Sequence, residues 1–284
     1  MLFEIIKAVL FGVVEGITEW LPVSSTTHMK LLDALVHLQG SERFMSVFEV
    51  VIQLGAILAV ILMYLPRLWP FCRPGKGEGP GGMVKPVTFR MWLMIVLAIL
   101  PSAIVGIPFD DWIDAHLDCW PVICATLVLY GVAFLLLDRG ERKPGILRAE
   151  KIGPKTALLI GCAQILALIP GTSRSGSTIL GALLLGCSRT AAVEFSFFMA
   201  IPTMAGASLI KLLKAGIGFS LEELLLLLIG CASAFMVSMT VIHGLVGYIK
   251  KHTFENFGWY RIILGLMIAI LFVAGPLLPF RFLS

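Results

Sequence analysis

Charged residues are scarce in this chain. Only 14% of the residues are Asp, Glu, Lys or Arg, whereas 58% are hydrophobic and the mean hydropathy is +0.95. A soluble globular protein cannot bury this much apolar surface, so the composition excludes that class and predicts that lipid surrounds most of the chain. The net charge of +4 is modest. Basic loops on one side of a membrane explain it, and no nucleic-acid partner is expected.

Paired cysteine spacings and a leader segment are also lacking. The six cysteines form no CxxC pair and mostly fall in apolar segments: Cys72, Cys119, Cys124, Cys162, Cys187 and Cys231. We therefore expect neither a disulfide framework nor a zinc site. Near the start, Glu4 interrupts the first apolar residues, no basic region precedes them and no small-residue cleavage site follows. The N-terminus is expected to be retained.

Long apolar runs dominate what is present. A helix needs about 20 residues to cross the hydrocarbon core. Six runs are of suitable length, near 46–64, 91–108, 120–137, 191–213, 222–244 and 260–280. Two further stretches, 4–38 and 155–187, are broken by Pro22 and Pro170 with adjoining small and hydroxyl residues. Their halves are too short to span, so we predict two re-entrant hairpins whose breaks lie in an interior cavity.

The two halves of the chain resemble each other. Gly12-x-x-Glu15 before the first break is echoed by Gly161-x-x-Gln164 before the second, and Phe48-Glu49 is echoed by Val193-Glu194. We predict an all-α integral membrane protein with six transmembrane helices and two re-entrant helix hairpins. Residues 1–284 would form a single membrane domain with an inverted-topology repeat, 1–145 and 146–284, because each half crosses the membrane an odd number of times.

Basic residues predict the orientation. One set of loops carries Arg67, Arg73, Lys76, Lys85, Arg90, Arg139, Arg142, Lys143, Arg148, Lys151, Lys155, Lys250, Lys251 and Arg261. The opposite set carries only Lys7, Lys30, Arg43, Lys211, Lys214 and Arg281. The first set is therefore expected on the cytoplasmic side. Both termini, the acidic loop Asp110-Asp111-Asp114-Asp118 and the mouth of the first hairpin would face outward.

Two carboxylates precede the first break. Glu15 and Glu19 are four residues apart and share one face of the first short helix. A carboxylate at mid-membrane costs roughly 2.5–3.5 kcal/mol on insertion scales, so the pair indicates a divalent cation or a proton transfer. The alternative is two solvated residues at a shallow helix end.

Hydroxyl residues follow the first break. Ser24, Ser25, Thr26 and Thr27 begin the next helix, where a serine cap and free N–H groups attract phosphate. His28 lies one turn from Ser25 and could act as its base or acid.

The second break repeats the design with Thr172, Ser173, Ser175 and Thr178 as the candidate phosphate-binding hydroxyls. Arg174 adds a planar fork that matches phosphate. Pairing of Arg174 with Glu194 or Glu49 alone is the competing interpretation. In inverted repeats the two helix starts would point at each other, which suits a pyrophosphate.

Glu49 and Gln53 are also four residues apart, in the first third of a spanning run. We expect them to support the cation or orient Arg174. Glu194 is expected to be structural, because Phe198 stands where its partner would be.

Two long motifs resemble the undecaprenyl pyrophosphate phosphatases, membrane enzymes of bacterial cell-wall synthesis that are linked to bacitracin resistance. The first is the segment 12–28, GVVEGITEWLPVSSTTH, and the second is the segment 170–178, PGTSRSGST. Residues 48–55, FEVVIQLG, also fit, and the similarity runs through most of the chain. One departure is Thr27, where the family usually has glycine; the side chain would narrow the approach to the backbone.

The resemblance implies hydrolysis of a C55 isoprenoid pyrophosphate on the outer face of the bacterial inner membrane, with Mg²⁺ or Ca²⁺ as cofactor. It also implies an active site of Glu15, Glu19, Ser25, His28 and Arg174. The predicted mechanism has Ser25 attacking the terminal phosphorus, with His28 itself or an activated water as alternative nucleophiles. The expected partners are the lipid substrate and membrane lipid, and a homodimer stays open. The competing function is a transporter or flippase of a phosphorylated lipid on the same scaffold.

Overall fold

The computed structural model describes residues 1–72, 76–77, 83–138, 143–216 and 218–274, except for the side chain of Glu42. Four basic residues of the loop prediction, Arg73, Arg139, Arg142 and Arg281, lie outside the described residues, as does the end of the last predicted run, 275–280. Within the described residues the secondary structure is helical, with only isolated β-bridges besides.

Ten α-helices make up the described fold. They are α1 (Leu2–Thr18), α2 (Ser25–Val36), α3 (Glu42–Leu68), α4 (Pro86–Leu117), α5 (Trp120–Leu137), α6 (Pro154–Ile165), α7 (Arg174–Leu184), α8 (Arg189–Ala215), α9 (Leu221–Ile249) and α10 (Glu255–Ala274). Short 3₁₀ helices occupy Ala149–Lys151 and Leu166–Leu168. The helices α3, α4, α5, α8, α9 and α10 are long and apolar enough to cross a membrane, so the six predicted runs are confirmed. The chain is an integral membrane protein.

The two interrupted stretches each form a pair of short helices. The first pair, α1 and α2, is separated by residues 19–24, and the second pair, α6 and α7, by residues 166–173. We call these separations break 1 and break 2. Ser24 and Ser173, at the ends of the breaks, are the N-caps of α2 and α7.

Helix α8 lies at the centre of the fold. Residues 191–200 are buried without exception, and Phe195, Phe197 and Phe198 are completely shielded. Helices α3, α4, α7 and α9 all contact it. The first half of α8 is therefore part of the buried core and packs against α7, the helix that follows break 2.

Ion pairs lie at both ends of the helical bundle, which we call the basic end, with Arg67 and Arg189, and the acidic end, with the segment 110–118. At one end Arg67 pairs with Glu150 and Glu194, and Arg189 pairs with Asp138. At the other end three lysines neutralise the acidic segment, through the pairs Lys30–Asp118, Lys211–Asp114 and Lys214 with Asp110 and Asp111. The sequence analysis predicted that the acidic segment is a loop, and this prediction was wrong. The segment continues α4 to Leu117, because these pairs stabilise the added turns.

Arg261 is a second departure from the sequence interpretation. It was assigned to the basic loops, yet it lies within α10 and is fully buried. Backbone carbonyls of both breaks solvate its guanidinium group, which is why this charge is absent from the surface.

Candidate active site

Both helices that follow the breaks start from a strained serine. Ser24 and Ser173 each have φ of 73°, and they are the non-glycine residues with positive φ among those described. This left-handed conformation is costly for a residue with a Cβ atom and is concentrated at functional sites. The Oγ atom of Ser173 accepts from the backbone N–H of Gly176 at 3.2 Å, whereas the Ser24 hydroxyl bonds the Thr27 hydroxyl at 2.9 Å.

A line of hydrogen bonds joins the two breaks through Glu19. The Ser25 hydroxyl donates to Oε2 of Glu19 at 2.6 Å, and Nη2 of Arg174 donates to Oε1 at 2.9 Å. The exposed fraction is 7% for the Glu19 side chain and 12% for that of Arg174. Candidates for a nucleophile, a base and a phosphate-binding side chain, namely Ser25, Glu19 and Arg174, are thus in direct contact in a nearly closed space.

The backbones of the two breaks also touch. The Ser175 hydroxyl lies 3.2 Å from the carbonyl oxygens of both Glu19 and Leu21. Arg261 donates from Nη1 to the Pro22 carbonyl at 3.0 Å, and from Nη2 to the carbonyls of Gly171 and Thr172 at 2.8 and 2.9 Å. The starts of α2 and α7 therefore converge on one place.

His28 is placed differently from the sequence prediction. Its Nδ1 atom is 2.7 Å from the Ser24 carbonyl, and its Nε2 atom is 2.6 Å from the Tyr260 hydroxyl. The Tyr260 ring stacks on the imidazole at a centroid distance of 5.7 Å. Since both ring nitrogens are engaged, no hydrogen bond joins His28 to Ser25 in the described structure. The group in contact with the Ser25 hydroxyl is Glu19, because residues 19–24 turn the carboxylate back over the start of α2.

Glu15 is buried without a hydrogen-bond partner. Its side chain is completely shielded, and neither carboxylate oxygen meets a donor among the described residues. Glu19 and Glu49 are the carboxylates whose charges act on it most strongly. A buried carboxylate is normally paired or bound to a metal, so Glu15 indicates a ligand or a proton that completes the site.

Arg174 is held from behind by α8. Its Nη1 atom donates to the Ser196 carbonyl at 2.8 Å, and the Ser196 hydroxyl in turn lies 2.7 Å from that of Thr178. The competing pairing of Arg174 with Glu194 or Glu49 is not made. Glu194 forms a two-pronged pair with Arg67 at 2.6 and 2.9 Å and is therefore structural.

The other predicted residues surround this core at varying depth. Thr26 is exposed, whereas Thr27 and Thr172 are buried. Glu49 and Gln53 are half-buried in α3, and neither forms a hydrogen bond to another described side chain. The charge of Glu49 acts on Glu15, whereas no described contact joins Gln53 to the site, so the supporting role of both residues stays a prediction.

Unpartnered polar atoms collect at the breaks. Among the described residues, buried polar atoms without a partner include both oxygens of Glu15, Nε1 of Trp20, Oγ1 of Thr172, and Nε of Arg174 and of Arg261. Each such atom costs about 1–3 kcal/mol unless a ligand satisfies it. Their concentration in one region indicates a polar ligand there.

Sequence reasoning missed Tyr260, Arg261 and Ser196. The first two follow the start of α10 and reach the breaks only through the packing of the fold. A signal existed for Arg261, since an arginine inside an apolar run marks a functional-site candidate. The apolar run was predicted to begin at residue 260, so Arg261 was assigned to the loop at its edge, whereas α10 begins at Glu255.

Comparisons with known proteins identify the family of this chain. Residues 8–267 match the family described as bacitracin resistance protein BacA. A protein of Enterococcus faecalis named undecaprenyl-diphosphatase is 52% identical over 270 residues, covering 94% of this chain and 97% of the relative. Proteins of the same name from Acetivibrio thermocellus and Lactobacillus delbrueckii subsp. bulgaricus are 49% and 47% identical, covering 96% and 95% of this chain and 99% and 98% of the relatives. The chain therefore belongs to the BacA family of bacitracin resistance proteins.

Proposed function

We propose that this protein is a membrane phosphatase that hydrolyses undecaprenyl diphosphate to undecaprenyl phosphate and inorganic phosphate. The observation that carries the proposal is the contact of Ser25, Glu19 and Arg174 where α2 and α7 begin. The names of the relatives supply the substrate. In the bacterial inner membrane this reaction would recycle the lipid carrier of peptidoglycan synthesis.

The chemistry follows from these contacts. The Ser25 oxygen attacks the terminal phosphorus while Glu19 accepts its proton, and the bond to the bridging oxygen breaks to release the lipid phosphate. Water then cleaves the phosphoserine and restores the Ser25 hydroxyl. Arg174 and the first N–H groups of α2 and α7 hold the phosphate oxygens and stabilise the charge that develops on them.

A divalent cation fits the carboxylates of the site. Glu15 has two buried oxygens without a donor, and Glu19 lies close to it. Mg²⁺ is usually held by one or two carboxylates together with substrate phosphates and water, and Glu15 and Glu19 supply two carboxylates. Glu15 and Glu19 would hold Mg²⁺ or Ca²⁺, with Glu49 and Gln53 behind them, and the ion would neutralise phosphate charge.

Two equivalent helix contacts support the inverted repeat of 1–145 and 146–284. Gly12 in α1 packs against the backbone of α9 at Gly230, and Gly161 in α6 packs against the backbone of α4 at Ala98. In a five-helix repeat α9 corresponds to α4, so each broken pair rests on the fourth helix of the other half. On this basis we propose that α1–α2 and α6–α7 are re-entrant hairpins entering from opposite sides.

The orientation follows from charge. Lys30, Lys211 and Lys214 lie with the acidic end of α4, away from the basic loops. By the positive-inside rule this end faces outward, and the site would open to the periplasmic face. Hydrolysis is favoured over transport because simple anion binding does not require a serine hydroxyl held by a carboxylate.

Phosphate release from a prenyl diphosphate by the detergent-purified protein tests the proposal. We expect turnover that a chelator abolishes and that Mg²⁺ or Ca²⁺ restores. Ser25→Ala should lower kcat by at least about a hundredfold, the lower end of what a positioned reacting group contributes. Ser46→Ala is the matched control, since that hydroxyl is exposed and bonds only the Arg43 carbonyl. Absence of phosphate release by the native protein would refute the function, and full activity of Ser25→Ala would refute the serine route.

A further inference from the structure

Arg261 connects the two breaks from a third part of the chain. It comes from α10, is completely buried, and donates three hydrogen bonds of 2.8–3.0 Å to the carbonyls of Pro22, Gly171 and Thr172. The two terminal nitrogens of one rigid guanidinium serve one break each. The guanidinium therefore helps to set the separation of the breaks, together with the contacts that Arg174 and Ser175 make to break 1.

The charge of Arg261 has no carboxylate partner among the described residues. Arg67, Arg174 and Arg189 each pair with an acidic side chain, whereas Arg261 has only carbonyls and the Tyr130 ring, 5.4 Å from its Cζ atom. A buried charge without a counter-ion is expensive, because neither water nor an opposite charge stabilises it. An anion bound nearby would remove that cost.

The position of Arg261 relative to α7 indicates which bound anion its charge would stabilise. A Cβ atom on Gly176, in the first turn of α7, would come 3.5 Å from Nη1 of Arg261. The guanidinium thus lies directly behind the helix start that is proposed to bind phosphate. Its terminal nitrogens are occupied by carbonyls, so the guanidinium acts on a bound phosphate through the backbone that it holds.

We infer that Arg261 is a positioning residue that adapts the site to two linked phosphate groups. By holding both breaks it helps to set the distance between the starts of α2 and α7, and its unpaired charge favours the more highly charged ligand. A diphosphate spans both helix starts, whereas a single phosphate engages one of them. This inference rests on the proposed function, and it adds that discrimination between diphosphate and monophosphate depends on Arg261.

Inhibition by inorganic pyrophosphate and by inorganic phosphate measures that discrimination without requiring a modified lipid. Native protein, Arg261→Gln and Arg261→Lys are compared for both inhibition constants, for kcat and KM with a prenyl diphosphate, and for Tm in detergent. Arg67→Lys is the matched control, because this arginine also bridges two partners but lies at the basic end of the bundle.

We expect the ratio of the phosphate to the pyrophosphate inhibition constant to fall at least about tenfold in Arg261→Gln, since tenfold corresponds to 1.36 kcal/mol, within reach of one buried charge. Arg261→Lys keeps the charge but has one terminal nitrogen in place of two and cannot hold both breaks. The ratio of inhibition constants should therefore fall by a smaller factor than in Arg261→Gln, and KM for the prenyl diphosphate should rise. Arg67→Lys should leave the ratio unchanged.

Three results would overturn the inference. The first is an unchanged ratio in Arg261→Gln; if that variant does not fold, an unchanged ratio and KM in Arg261→Lys has the same force. The second is a fall in Tm with no change in the ratio, which shows a purely structural role. The third is an equal effect of Arg67→Lys. Failure of the proposed function would look different, because the native protein itself would then release no phosphate.

Discussion

Replacement of Arg174 by lysine isolates the fork that joins α7 to Glu19. In the structure Nη2 of Arg174 donates to Glu19 at 2.9 Å while Nη1 donates to the Ser196 carbonyl at 2.8 Å. A lysine has a single nitrogen on a flexible chain and cannot occupy both positions. The variant keeps the charge but loses one of the two hydrogen bonds and the fixed geometry.

The expected loss can be worked from these contacts. The Arg174 and Glu19 side chains are 12% and 7% exposed, so solvent compensates the missing bond poorly. A hydrogen bond to a charged group is worth about 1.5–3 kcal/mol. At 1.36 kcal/mol per factor of ten, kcat/KM should fall about 10- to 150-fold. Arg174→Met should be worse, because removing one partner of a buried pair costs about 3–5 kcal/mol.

Phosphate release from a prenyl diphosphate over a range of substrate concentrations gives the measurement. Arg189→Lys serves as the control, since Arg189 pairs with Asp138 at the basic end of the bundle and is 32% exposed. We expect that variant to stay within about twofold of native protein, because neither Arg189 nor Asp138 contacts Ser25, Glu19 or Arg174 in the described structure. A kcat/KM for Arg174→Lys within the same twofold would show that the fork has no part in catalysis.

Three further variants probe other parts of the site. Glu15→Gln keeps the shape of the side chain but removes its charge. Because Glu15 is proposed to bind the ion directly, the cation concentration for half-maximal activity should rise at least about tenfold. An unchanged cation titration would contradict this role. Tyr260→Phe removes one neutral hydrogen bond to His28, and kcat should fall about 2- to 10-fold for 0.5–1.5 kcal/mol; a loss greater than that of His28→Ala would mean that the hydroxyl has a role of its own. Gly161→Ala inserts a Cβ atom against the α4 backbone, so the free energy of unfolding should fall by about 1–3 kcal/mol. Gly206→Ala is the control, because no heavy atom lies within 4 Å of the added Cβ atom there. Thermal unfolding in detergent should give a lower Tm for Gly161→Ala than for Gly206→Ala, and equal Tm values would contradict the close packing of Gly161.

Hydropathy and local spacing predicted the elements well because both act over short stretches of chain. The six spanning helices, the two breaks and the residues at each helix start follow from apolar length and from proline and serine positions. The extension of α4 beyond residue 108 did not follow. It depends on lysines of α2 and α8 that neutralise its acidic end, which only the tertiary structure brings near.

The site shows the same division between local and distant contacts. The sequence placed Glu15 and Glu19 on one helix face, but it paired Ser25 with His28 because they are one turn apart. The backbone of break 1 instead returns Glu19 to Ser25. Which carboxylate meets a hydroxyl across a non-helical segment depends on the path of that segment. Helical spacing carries no information about this path, and none about the approach of Arg261 from α10.

The charges collected at the breaks give an independent argument for a cation. The formal charges of Glu15, Glu19, Arg174 and Arg261 sum to zero when all four are ionised, although only Glu19 and Arg174 pair directly. A single phosphate monoester carries about −1.5 to −2 at neutral pH, and a diphosphate ester carries more. Held away from water, this negative charge exceeds what the two arginines supply once the two carboxylates are counted, so further positive charge is needed. Glu15 and Glu19 would hold a divalent ion that would supply this charge, and a lipid monophosphate product, with its smaller charge, would then bind the site less tightly, which favours release.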